Sequence, residues 1–342
     1  MTVHNVEIQK LTQLTFDRLH EVGLSKEVAQ EVADVLVHAD SRGVHSHGVM
    51  RVEHYCKRIA EGGLNIDAKM AIEKVSPCVS ILDSDDGMGH SALIAATNEA
   101  MSLAKENALG FVSVKNTSHC GALSYFAKMA TDQNLIAIVM TQTDTCVAPH
   151  GGAKPFLGTN PIAFGFPVLN SEPMIVDMAT SATAFGKLLL AKENNTPLGP
   201  GLAIDKDGYE TQDPHAVATL LPFGGHKGSG IALAIDALTG ILMGANFSNH
   251  VHRMYDDYDK MRKLCSLVIV IDPSKFGGHA FSGMMAQMIK ELHEVPPAPG
   301  VEKVIAPNEP QVEYLKQCEI NGIPVDSGSY DFLSTQQRME LS

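Results

Sequence analysis

The sequence predicts an α/β protein with a mainly helical N-terminal segment, an α+β arrangement overall. Apolar residues recur at helical spacing through the first 75 positions, and from about residue 78 short β-rich runs alternate with helical stretches. The chain holds 29 glycines and no tryptophan, which suits the tight turns between strands and helices. At 342 residues it can bury a core that needs neither disulfides nor metal.

Residues 5–22 place Ile8, Leu11, Phe16 and Leu19 on one side, with Gly23 as a stop. A second helix is capped by Ser25, turns Val28, Val32, Val35, Leu36 and Ala39 inward and ends near Gly43. A third is expected over 47–61, with Val52, Tyr55, Cys56 and Ile59 on one face. Strands at 78–82, 111–114 and 136–140, separated by helices at 91–106 and 121–133, then form a β-α-β-α-β series. Short strands follow at 162–167 and 174–178, and 195–215 reads as a polar surface excursion. Residues 228–243 are apolar nearly all round and read as a buried helix. A strand at 267–271 and a helix at 283–294 precede the PPAPG break at 296–300, and the last ten residues read as frayed. The division expected is a helical part, 1–75, completed by 296–342, and an α/β part, 76–295.

The net charge of −13, from 26 basic and 39 acidic residues, argues against nucleic acid and anionic membranes as partners. Six cysteines at irregular spacings, with no C-x-x-C, read as reduced thiols, so a cytoplasmic protein is expected. The polar N-terminus has no signal-peptide core, and the most apolar stretch, 231–245, is too short to span a bilayer.

Four segments could carry chemistry. In 44–55, a helix starting near His47 would put His47, Arg51 and Tyr55 on one face. An arginine fork matches a carboxylate, and a histidine beside it can move a proton near neutral pH; a capped helix start with a surface ion pair is the plainer reading. In 115–125, His119 follows a strand end, where open α/β folds bind ligands, and is placed for general-base work. The turn 222–230 brings glycines, a helix N-terminus and Lys227 together as a pyrophosphate cradle, although it is not a Walker A loop. In FLGTNP (156–161) Gly158 and Asn160 suit close backbone approach, and Asp177 could reach a ribose hydroxyl; alone, this reads as a structural turn. The G-x-G-x-x-A at 87–92 lacks the acidic residue a Rossmann unit needs after the next strand. His45/His47 and His250/His252 form H-x-H pairs without a third ligand at metal-site spacing, so no metal is expected.

Taken in order, ADSRGVHSHG, SHCGALSYF, PHGGAKPFLGTNPIAF, VDMATS and LLPFGGHKGSG resemble the malate/L-lactate/sulfolactate dehydrogenase family, whose fold is not a Rossmann fold. The resemblance runs from about residue 8 to 330. Within the family, VLVHADSRGVHSHG, RVEHY, TQTD and MYDDY are most similar to the ureidoglycolate dehydrogenases, which make oxalurate with NAD in allantoin breakdown. The resemblance implies a homodimer with its active sites near the subunit interface, and a 2-hydroxy acid as small-molecule substrate. It makes His119 the proton acceptor, with His47 as a substrate-side partner, and puts Arg51 and Tyr55 at the substrate. It places Thr143, Asp177, Met178, Ala179 and Lys227, with Gly228 of the Gly-rich turn, at the nicotinamide cofactor. Asp144 is a candidate acceptor for a ureido group. APNEP (306–310) replaces a Pro-Gly-Glu turn of many relatives, and GGHAFSG (277–283) is shorter than its counterpart, which leaves NAD against NADP open. The alternatives are a malate, L-lactate or sulfolactate dehydrogenase of the same fold, and a catalytically silent nucleotide-binding protein.

Overall fold

The structure, a computed structural model, describes residues 3–277 and 280–335. Gly278 and His279 of the 277–283 stretch, and 336–342 of the tail expected to fray, lie outside the described residues.

The chain opens with β1 (Val3–Val6), α1 (Ile8–Glu21), α2 (Lys26–Ser41) and α3 (Val52–Ala60). Ser25 caps α2 as expected, its hydroxyl accepting from the Val28 N–H at 3.2 Å. Strand β1 pairs with β11 (Ile323–Asp326) near the other end of the chain. Around them α9 (Glu309–Asn321) and α10 (Ser327–Ser334) contribute Cys318, Tyr314 and Leu333 to the apolar cluster built on Leu11, Leu19, Val32 and Leu36.

The middle of the chain builds a seven-stranded mixed sheet. It contains β2 (Ala71–Ser76), β3 (Val79–Asp83), β4 (Leu109–Thr117), β5 (Ile136–Thr141), β6 (Ile162–Phe166), β7 (Met174–Met178) and β10 (Leu264–Ile271), in the order β2-β3-β4-β10-β5-β6-β7. Helix α4 (Gly89–Asn107) connects β3 to its parallel neighbour β4, and α5 (Leu123–Thr131) connects β4 to β5. The β-α-β-α-β series is present, but β10 wedges between β4 and β5, antiparallel to both. Central placement explains the apolar sequence of β10, broken only by Ser266, since Leu264, Cys265, Leu267, Val268 and Val270 are all buried. Helix α4 lies close on the sheet: a side chain at Gly110 would sit 2.0 Å from the Ala100 carbonyl oxygen.

Helix α6 (Phe185–Asn194) and the ribbon of β8 (Ala203–Ile204) and β9 (Thr219–Leu220) form a small outer layer. Helix α7 (His226–Thr239) differs from expectation. It packs Ala232 and Ile235 inward, but Leu233 and Leu238, with Ile241 and Leu242 just beyond it, are exposed. Helix α8 (Phe281–His293) follows β10.

Candidate active site

The sheet topology gathers chain ends at one edge. Register pairs Thr117 with Leu264, Thr141 with Ser266, and Ile162 with both Met140 and Met178. The C-terminal ends of β4, β5 and β7 therefore meet the N-terminal ends of β6 and β10. His119, Thr143, Asp144, Asn160, Ala179 and Arg262 all lie within three residues of these ends.

His119 sits on a loop held from behind. The Ser118 hydroxyl accepts from Gly89 N–H at 2.9 Å and donates to the Gly87 carbonyl at 3.0 Å. A side chain at Gly89 would come within 2.3 Å of the Ser118 oxygen. The G-x-G turn thus serves to bring α4 against the His119 loop. Nδ1 of His119 lies 2.7 Å from the Tyr55 hydroxyl and 3.3 Å from the Gly121 N–H, whereas Nε2 has no hydrogen bond among the described residues. Burial, then His47 and the Arg51 charge beside it, hold the His119 pKa well below the ordinary histidine range. The ring is therefore neutral at pH 7.

One expectation is overturned. No single helix runs from His47 to Tyr55; two short 3-10 turns, His45–His47 and Val49–Arg51, precede α3. The break is at Gly48, which is extended (φ −92°, ψ −156°). Its cause is Asp40, a buried residue of α2 whose carboxylate accepts from Val49 N–H at 2.7 Å and meets His45 Nδ1 at 2.9 Å. A side chain at Gly48 would lie 2.0 Å from that carboxylate. The segment still delivers His47 to the site, its ring stacked on His119 at 5.7 Å between centroids. Burial, with Arg51 nearby, lowers the His47 pKa to about 4. Arg51 donates from Nε to the Ser46 carbonyl at 2.7 Å and from one terminal nitrogen to the Tyr255 hydroxyl. Its Nη2 has no hydrogen bond among the described residues. Tyr55 is 3% exposed, so its hydroxyl meets His119 and not the open cleft.

Asp144 accepts from Arg262 at one oxygen and from the Met254 N–H, at 3.3 Å, at the other. A ureido contact from Asp144 must use oxygens that each already accept one bond. Arg262, 3% exposed, is a site residue the sequence did not reveal, as are Ser46, Tyr255 and His90.

The expected cofactor residues fall into three groups. Asn160 ties the first together: its amide oxygen accepts from Thr143 N–H at 3.0 Å, and its amide nitrogen donates to the Ala232 carbonyl of α7 at 3.0 Å. A side chain at Gly158 would meet the Thr143 hydroxyl at 2.2 Å. In the second, Asp177 reaches solvent but spends one oxygen on the Ser124 N–H in the first turn of α5, at 2.8 Å, while Met178 and Ala179 beside it are half-buried. Gly228 joins this strand end to the Gly-rich turn, since a side chain there would meet the Thr180 oxygen at 2.7 Å.

In the third group, Lys227 is exposed at the start of α7. The N–H groups of Lys227, Gly228 and Ser229 already bond within the turn, so its ammonium and the helix dipole are what the turn offers an anion. A side chain at Gly225 (φ 63°) would be strained and would sit 3.3 Å from His150, so the turn keeps an open face. An exposed cation at the positive end of a 14-residue helix, whose Gly228 packs on Thr180, three residues beyond the exposed Asp177, suits the phosphate and ribose of a dinucleotide. APNEP lines a cavity of about 870 Å³ together with Pro173, His293, Lys303 and Lys316. There Asn308 donates to the Pro173 carbonyl at 2.9 Å. Among the described residues, no three His, Cys, Asp or Glu side chains gather as a metal site.

The chain is similar to known proteins along nearly its whole length. The ureidoglycolate dehydrogenase (NAD(+)) of Escherichia coli O157:H7 is 40% identical over 326 residues, 95% of this chain and 93% of that protein. The L-sulfolactate dehydrogenase of Methanocaldococcus jannaschii is 35% identical over 324 residues, covering 94% and 93%. The solved malate dehydrogenase of Pyrococcus horikoshii OT3 superposes with a TM-score of 0.87 at 32% identity, over 96% of this chain and 93% of that one. With a match to the malate/L-lactate dehydrogenase family over residues 6–334, and the fold that the motifs implied, the chain belongs to that family.

Proposed function

We infer that the chain is an NAD-dependent oxidoreductase acting on a small 2-hydroxy acid, with ureidoglycolate, oxidised to oxalurate, as its substrate. The observation that carries this reading is a neutral histidine whose Nε2, and an arginine whose Nη2, have no hydrogen-bond partner among the described residues, the two linked through Ser46 and His47 at one end of the sheet. The choice of NAD and of ureidoglycolate rests on the relative at 40% identity, which carries both in its name.

Arg51 binds the substrate carboxylate through Nη2, while Ser46 and Tyr255 hold its other nitrogens. His119 accepts the hydroxyl proton at Nε2. His47 lies against the same substrate, its Nδ1 fixed 2.9 Å from the Ser46 hydroxyl. Asp144 keeps Arg262 in place; burial is what chiefly holds His119 neutral, and Arg51 and Arg262 add to it. Lys227 binds cofactor phosphate, Asp177 a ribose hydroxyl, and the strand end at Met178 and Ala179 flanks the nicotinamide; Thr143, Gly158, Asn160 and Gly228 shape the floor. The bound nicotinamide supplies the hydride acceptor.

The exposed apolar row Leu233, Leu238, Ile241 and Leu242 favours a homodimer, which sedimentation would test. Six free cysteines are consistent with the cytoplasm, and among the described residues no helix is long and apolar enough to cross a membrane.

A panel crossing NAD and NADP with ureidoglycolate, malate, lactate and sulfolactate, followed by reduced-nicotinamide absorbance, tests the reading. Turnover of ureidoglycolate with NAD is expected. Preference for malate, lactate or sulfolactate would keep the site and replace the substrate, and silence across the panel would refute the enzyme.

A further inference from the structure

The reaction proposed above leaves His90, a fully buried histidine beside Tyr55, unused. His90 lies in the first turn of α4, is 0% exposed, and its Nδ1 has no hydrogen-bond partner among the described residues. Its Nε2 is 3.4 Å from the Tyr55 hydroxyl, whose oxygen is 2.7 Å from Nδ1 of His119. The three rings pack together, with centroids 5.3 Å apart for Tyr55–His90 and 6.0 Å for Tyr55–His119.

Tyr55 has one hydroxyl hydrogen to share between two imidazole nitrogens. If it points to Nδ1 of His119, the neutral ring carries its own hydrogen on Nε2, which then cannot accept a proton from the substrate. If it points to Nε2 of His90, the Tyr55 oxygen accepts Nδ1–H of His119, and Nε2 turns a lone pair to the cleft. The Gly121 N–H, 3.3 Å from Nδ1, favours the first arrangement. Among the described residues, His90 is the one acceptor within reach of Tyr55 that favours the second. The charged and titratable groups facing the pair are His47, Arg51, Arg262, Cys120 and Tyr255, and none gives Tyr55 or His119 another hydrogen bond.

We propose that His90 is a positioning residue: by accepting the Tyr55 hydrogen it selects the His119 tautomer whose Nε2 takes the substrate proton. The inference rests on His119 being the base. In the step itself the substrate O–H bond breaks and N–H forms at Nε2; the oxygen pair closes the C=O as the C–H pair leaves as hydride to the nicotinamide. The Nδ1–H bond of His119 stays intact and keeps donating to the Tyr55 oxygen, so His119 becomes imidazolium and no proton passes through Tyr55. The arrangement also accounts for the orphaned His90 Nδ1, whose hydrogen is left without an acceptor so that Nε2 can accept.

The test is the tautomer itself, read by nitrogen NMR of ¹⁵N-histidine-labelled full-length protein at pH 7.5, with His119 assigned by loss of its signals in His119→Ala. The wild-type ring is expected as the Nδ1–H form and His90→Leu as the Nε2–H form. In His90→Leu, kcat for oxidation should fall about tenfold, the size of one neutral hydrogen bond, at unchanged KM for NAD. His90→Gln, whose amide oxygen can accept, should recover most of it. An Nε2–H form in the wild type would overturn the proposal, and that spectrum decides even if His90→Leu does not fold. The same tautomer and kcat in folded His90→Leu would also overturn it. Near-normal turnover by His119→Ala would instead remove the base reading, and the proposal with it; a slow His119→Ala beside an unaffected His90→Leu removes only the role of His90.

Discussion

Gly48→Ala adds one methyl group at a point where the structure has no room for it. The new carbon would lie 2.0, 2.1 and 2.2 Å from Oδ1, Cγ and Oδ2 of Asp40. Ordinary contact begins near 3.4 Å, so the carboxylate or the loop must shift by more than about 1 Å. The carboxylate holds Val49 N–H and His45, and hydrogen bonds to a charged group contribute about 1.5–3 kcal/mol each. Loss of both, with partial rebuilding, should destabilise the fold by about 2–4 kcal/mol. The same loop carries Ser46, His47 and Arg51, and a displacement of about 1 Å at a catalytic constellation costs on the order of 100-fold in rate. Urea denaturation followed by circular dichroism reads the first effect, and kcat/KM the second. A Gly48→Ala protein within about 0.5 kcal/mol of wild type and with unchanged kcat/KM would refute the claim that Asp40 shapes the loop.

Further outcomes follow from the same geometry. His119→Ala should lower kcat by about 10²–10⁴-fold while leaving NAD affinity, measured by calorimetry, nearly intact. If Arg51 holds the carboxylate alike in ground and transition states, as proposed, Arg51→Ala should chiefly raise KM for the hydroxy acid. Asp144→Leu strands the buried Arg262 and should destabilise by about 3 kcal/mol in denaturant melts. Five histidines, His38, His47, His54, His90 and His119, are held neutral by burial, His47 to about 4 and His54 and His90 to about 3. In the unfolded chain each takes a proton near pH 6.5. The unfolded state therefore binds more protons as pH falls below 6.5, and Tm should decline from there towards pH 4; a Tm independent of pH in that window would contradict their neutrality.

Local signals carried much of the reading. Ser25 caps its helix because capping depends on neighbours three residues away, and His119 stood out because a strand ends just before it. The break at Gly48 was hidden, since Asp40 occupies an ordinary helical position and its effect on the loop needs the folded turn. Arg262 and His90 were equally silent. Arg262 enters the site because β10, separated from β5 by more than a hundred residues, inserts between β4 and β5. His90 enters because α4 starts against the Ser118–His119 loop. Spacing within a segment reports neither event. The exposed face of α7 misled for the opposite reason: hydropathy measures what a residue prefers, not whether this chain alone covers it.

The central claim is hydride transfer from the hydroxyl-bearing carbon of a 2-hydroxy acid at the His119 end of the sheet. Ureidoglycolate deuterated at that carbon, incubated with NAD and the wild-type protein, tests it most directly. Mass spectrometry should find the deuterium in the reduced nicotinamide. Oxalurate formed beside reduced nicotinamide without deuterium, or no reduced nicotinamide at all, would contradict the account.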